Sequence, residues 1–201
     1  MKIPQTRNVL AQIDRELEGF EYISDDRNDV SLSLLDISID HSKSIVILCE
    51  NGIFSSAYAL ARPMFECFVR GVWVQYCASE EKLEEIRNND AFPRQLGVMV
   101  DAIEKTTAWP KGLSNIKNIL LNNMHSYTHG GIQLTARRFS GSNLVHIPDK
   151  EEVNALLRML SIISFLAFVE IIKIAVTSNK DHFIEKLQLE IESKILNINN
   201  L

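Results

Sequence analysis

Ala59-Leu60-Ala61-Arg62-Pro63-Met64-Phe65-Glu66-Cys67-Phe68-Val69-Arg70-Gly71-Val72-Trp73 is the stretch that decides the fold. Its apolar residues occupy most of a helical circumference, the pattern of a helix buried at the centre of a bundle. Ser55 or Ser56 starts this helix, which reaches about Ala78. Pro63 lacks an N–H and crowds the preceding turn, so a kink near Ala59–Arg62 or a break with Pro63 restarting the helix is expected. Arg62, Glu66 and Arg70 recur every four residues as a charged stripe. Charges on such a helix are costly to bury unpaired. Either the three form an ion-pair ladder between helices, or one guanidinium lines a cleft and holds an anion.

Outward from this run the pattern stays helical. Thr6 can cap a first helix carrying Val9, Leu10, Ile13 and Leu17, with Gly19 as its stop. Asp25 and Asp26 open a longer helix with Val30, Leu34, Ile37, Ile45 and Leu48 on its apolar face, ended by Asn51-Gly52. Ser79 caps a short acidic helix to about Asn89. Helices are expected at Phe92–Lys105 and Leu113–His129, separated by a turn at Trp109-Pro110-Lys111-Gly112. Gly130–Pro148 reads as a long loop or small hairpin, followed by a helix to about Thr177 and a last one near Asp181–Ile198. The expectation is one all-α domain over residues 1–201, an up-and-down multi-helix bundle with one irregular segment around 130–148.

Composition narrows the function. Apolar content of 46% with 23% charged residues is ordinary for a soluble globular chain. Cys49, Cys67 and Cys77 lack metal-binding spacing and sit in apolar stretches, as reduced thiols of a cytosolic protein do. The greasiest run, Leu160–Val169, is about ten residues long against the roughly 20 that a bilayer needs, so a buried bundle helix and no membrane are expected. Net charge is −5, which argues against a general polyanion binder. Yet residues 93–147 carry six basic side chains (Arg94, Lys105, Lys111, Lys117, Arg137, Arg138) against Asp101 and Glu104, a local +4 that leaves −9 elsewhere. Such asymmetry suits RNA or another anion, and equally a surface with uneven lysines.

The basic segment holds Asn122-Asn123-Met124-His125-Ser126-Tyr127-Thr128-His129-Gly130-Gly131. His125 and His129, four residues apart, share a helical face just before a glycine stop. Imidazole titrates near neutrality, which makes the pair a candidate for acid–base work. It could also bind a metal with further ligands such as His41, Glu50 or Glu66, or be hydrogen-bonded at a helix seam. Arg137-Arg138-Phe139 joins two cations to an aromatic surface, fit for phosphate contact and stacking or for anchoring a loop. Glycine-rich phosphate loops, nucleophile elbows and the His-Glu-x-x-His pattern are missing, so no metal and no cofactor are expected.

The pattern Ala-Leu-x-Arg-Pro-x-Phe-Glu-x-x-x-Arg-Gly-x-Trp, followed about fifty residues later by Ser126-Tyr127-Thr128-His129-Gly130-Gly131, resembles a bacterial all-helical family of unknown function within the HEPN-like group. The resemblance implies a multi-helix bundle, often a homodimer, with a place in bacterial toxin or defence systems. HEPN ribonucleases carry an arginine followed by four to six residues and then a histidine on one helix. His129 matches that histidine, but the arginine position falls on Asn122, Asn123 or Met124. Under this reading His129 is the general base, His125 its acid or electrostatic partner, and Arg62 or Arg70, with Glu66 beside them, holds the phosphate; Arg137, Arg138 and Lys117 bind RNA. The alternatives are a non-catalytic module that dimerises or docks on a protein partner, and a metal- or small-molecule-binding bundle.

Overall fold

The computed structural model describes residues 3–107, 112–118, 131–132, 135, 138–145 and 150–175. Helix α1 spans Ile3–Leu17, α2 Asp26–Glu50, α3 Phe54–Tyr76, α4 Glu80–Asn89 and α5 Leu96–Thr106. Residues 112–118 are helical. A hairpin of β1 (Phe139–Ser140) and β2 (Asn143–Leu144) follows, and then α6, Lys150–Ile174. The fold is an all-α multi-helix bundle with one two-stranded ribbon, placed inside the segment expected to be a loop or hairpin. The expected helix at 181–198 and most of the one at 113–129 lie outside the described residues.

Helix ends follow local chemistry. Asp25 accepts from the Asn28 N–H at 2.8 Å and caps α2, and Ser79 caps α4 through the Lys82 N–H. Gly52, at φ 72°, takes the left-handed conformation that ends α2. Thr6 is not a cap: α1 begins at Ile3 with Pro4 in its first turn, where a missing N–H is harmless, and Thr6 is buried. Pro63 lies inside α3, which runs unbroken from Phe54 to Tyr76. In the hairpin Gly141, at φ 61°, supplies the first loop position of a two-residue turn.

α2 and α3 form the central antiparallel pair, joined by residues 51–53, with α6 packed on both and on α1, and α5 on α3. Phe65, Phe68, Val69, Val72 and Trp73 are buried, as the central run requires. The core face of α2 differs from expectation. Of Val30, Leu34, Ile37, Ile45 and Leu48 only Ile45 is buried, while Leu32, Leu35, Ile39, Val46 and Cys49 face inward with Ser31, Ser38 and Ser42. The reason is close helix approach. Ser31 Oγ donates to the Gly71 carbonyl at 2.9 Å and Ser38 Oγ to the Met64 carbonyl at 2.9 Å. A Cβ on Gly71 would lie 2.9 Å from Leu35 Cγ. Small hydroxyl residues therefore occupy the seam where larger apolar ones would hold the helices apart.

α6 is long and apolar enough to cross a membrane by length and composition. Eleven of its 25 residues are buried within the bundle, including Leu160, Ile163, Ala167 and Phe168. Two ion pairs, Arg27–Glu80 and Arg87–Asp26, tie α4 to the start of α2, and Arg27 also donates to the Val74 carbonyl near the end of α3.

Candidate functional site

The charged stripe survives folding, but its two arginines are treated differently. Arg62 Nε donates to Glu66 Oε1 at 2.8 Å, with both side chains about one-third exposed (31% and 27%). That is one rung of the expected ladder. The second rung is not made: among the described residues no carboxylate pairs with Arg70. Its guanidinium lies over the Phe92 ring, 4.7 Å from the centroid, and its Nε is buried without an acceptor. Contact with an aromatic face does not use the in-plane N–H donors of a guanidinium. Cys67 lies between these groups on α3. Burial pushes its thiol up, Arg70 partly offsets this, and Glu66 adds to it. A raised thiol is a poor nucleophile at neutral pH.

Other cations lie along the connection that carries Phe92. Phe92 belongs to the connection between α4 and α5, which also carries the exposed Arg94. Five residues after Phe92, Gly97 sits in the first turn of α5, and a Cβ there would come 3.3 Å from Lys117 Nζ. Lys117 therefore lies against the end of this connection, no more than roughly 18 Å of extended chain from Phe92. Arg138 is elsewhere. It donates to Ser55 Oγ at 2.8 Å, at the opposite end of α3 from Arg70, some 22 Å away along the axis. This bond ties the base of the hairpin to α3. Phe139 and Leu144 face each other across the ribbon and are 63% and 71% exposed.

His125, His129 and Arg137 lie outside the described residues, so the arginine corner is built here without them. For the metal reading, no three His, Cys, Asp or Glu residues converge among the described ones. Glu50 is paired with Arg7 at 3.1 Å, and Glu66 with Arg62.

Two features escaped the sequence reading. Phe92 was expected to open the helix to Lys105, but that helix starts at Leu96, and Phe92 lies before Pro93 in the irregular connection that precedes it. Glu170 reads in the sequence as a mere interruption of an apolar run, yet it is 2% exposed and fully engaged. Tyr76 OH donates to its Oε2 at 2.5 Å and Lys173 Nζ to its Oε1 at 2.7 Å. Burial, and then the Glu170 carboxylate, hold the Tyr76 phenol well above its ordinary range.

The described residues thus define an all-α protein whose central helix holds an arginine over the Phe92 ring with no carboxylate partner among them. The chain belongs to DUF6988, a family of unknown function, whose match runs over residues 35–196 and takes in both sequence motifs. No curated protein and no solved structure matches it.

Proposed function

We propose that this chain is a HEPN-like component of a bacterial toxin or defence system that binds RNA and cleaves it without a metal. The observation that carries the reading is Arg70. Its buried Nε has no acceptor, its guanidinium sits over the Phe92 ring, and Arg94 and Lys117 lie along the same connection. A guanidinium in that state offers the forked donor edge that phosphate oxygens accept. In the proposed reaction His129 takes the proton of a ribose 2′-OH as its oxygen attacks phosphorus. Arg70 stabilises the charge developing on the phosphorane. The P–O5′ bond breaks, His125 as imidazolium protonates the leaving oxygen, and a 2′,3′-cyclic phosphate results. The protein acts in the cytoplasm, as a homodimer and away from membranes.

The test uses a labelled single-stranded RNA. Arg70→Met should weaken binding at least tenfold, and His129→Ala should abolish cleavage while leaving binding and thermal stability unchanged. Undiminished binding by Arg70→Met sinks the phosphate role, and wild-type protein that leaves diverse RNAs uncut sinks the enzyme.

A second reading, a non-catalytic interaction module, is favoured by the exposed Phe139–Leu144 pair on a ribbon anchored by Arg138. Sedimentation would support it if Phe139→Ser, with no loss of stability, turned a dimer into a monomer.

A further inference from the structure

Glu66 stands one helical rung from two arginines, Arg62 before it and Arg70 after it. On an isolated helix an acid four residues before a base is the better-oriented pair, because it follows the helix dipole; the reverse order is weaker. Glu66 should therefore prefer Arg70. It bonds Arg62 instead, at 2.8 Å. Two features of the structure account for the reversal. Phe92, reaching in from the connection before α5, holds the Arg70 guanidinium on its ring. Arg62, in turn, occupies the carboxylate that would otherwise capture it.

We infer that Arg62 and Phe92 are positioning residues that keep Arg70 open to an anion, and that Glu66 is a latch able to close the site. The inference deepens the RNA reading and rests on Arg70 being the phosphate contact. Neither Arg62 nor Phe92 needs to touch the ligand. Loss of Arg62 frees Glu66, whose preferred partner is one rung away; loss of Phe92 frees Arg70 to turn back along α3. Either change produces a Glu66–Arg70 pair that competes with phosphate for the same donor edge. The latch is built from side chains of one helix turn and one loop ring, so it needs no movement of the bundle.

The experiment is a charge-balanced rescue, read with a fluorescein-labelled twelve-nucleotide oligouridylate and with the Arg70 Nε–H signal in 15N spectra. Arg62→Gln should lower affinity at least tenfold and shift the Nε–H signal, because a proton that had no acceptor gains a carboxylate. Adding Glu66→Gln should restore affinity to within twofold and return the signal. Arg62→Gln with Glu81→Gln has the same net charge but keeps Glu66, and should stay weak. Phe92→Leu should behave like Arg62→Gln and be rescued by Glu66→Gln in the same way. Wild-type affinity in Arg62→Gln, or equal rescue by Glu81→Gln, overturns the latch. If wild type itself fails to bind the oligonucleotide, the RNA reading falls, and the Nε–H signal alone then decides the latch: a signal unmoved by Arg62→Gln overturns it, and one moved and then restored by Glu66→Gln supports it.

Discussion

Glu170 on α6 and Arg70 on α3 are both charged groups set against the same core, and the protein treats them in opposite ways. Glu170 is almost wholly buried and has a donor on each carboxylate oxygen, Tyr76 on one and Lys173 on the other. Arg70 has a ring beneath it and an Nε with no acceptor. A buried charge is tolerated when its hydrogen-bonding capacity is met. Glu170 meets that condition, so its role is to fasten α6 to α3. The Arg70 Nε does not, and a guanidinium with an unmet donor is suited to something that arrives from outside.

The contrast makes unequal demands on stability. Tyr76→Phe leaves the Glu170 carboxylate with Lys173 alone; hydrogen bonds to charged groups contribute about 1.5–3 kcal/mol, so a loss of about 2 kcal/mol is expected in urea unfolding. Arg70→Met keeps an unbranched stem against Phe92, loses a cation–π contact of about 0.5–1 kcal/mol and no ion pair among the described residues, and should cost less than about 1 kcal/mol. Equal losses in the two variants would erase the distinction.

Glycines at the two regions give a smaller effect of the same kind. At Gly71 a methyl would press on Leu35, fully buried, and lie 3.1 Å from the Ser31 carbonyl oxygen. Overpacking of about 1–3 kcal/mol should outweigh the gain in helix propensity of roughly 1 kcal/mol, for a net loss near 1 kcal/mol in Gly71→Ala. At Gly97 the same methyl meets only the movable end of Lys117, so Gly97→Ala should be neutral or slightly stabilising in the same assay. A destabilised Gly97→Ala would mean that the cationic corner is as tightly packed as the seam.

The smallest effect is alkaline. Burial, and then the nearby Glu50, push the Cys49 thiol from 9.0 up to about 11, so the fold favours the protonated form. A group raised on folding contributes stability that is fully present below its unfolded value and lost as pH climbs through the folded one. Stability should therefore decline between about pH 9 and pH 11, with Tyr76, Cys67 and Cys77, all raised, adding to the slope. Cys49→Ala should make the decline in urea midpoint shallower. An unchanged slope would remove Cys49 as a contributor.

Much of the architecture was legible because helices declare themselves by period and caps. Asp25, Ser79, Gly52 and the apolar girth of α3 each carry a local signal that folding leaves intact. The inward face of α2 was misread because close packing against Gly71 selects serine, which a hydrophobic pattern counts as polar. Likewise the stripe of Arg62, Glu66 and Arg70 was visible, but its division into one arginine bonded to Glu66 and one held over a ring was not. That division depends on Phe92, brought in from beyond α4 by tertiary structure, and no spacing rule reaches across two helices. The Tyr76–Glu170 bond joins residues 94 apart and was hidden for the same reason.

Ser31 and Ser38 are seven residues apart on α2, and the carbonyls they reach, Gly71 and Met64, are seven apart on α3. Two matched teeth of this kind index the antiparallel pair: sliding either helix by one turn would disengage both hydroxyls at once. Alignment is then set inside the pair and not by the short connection at 51–53, which could be lengthened by a few residues without the helices losing their place.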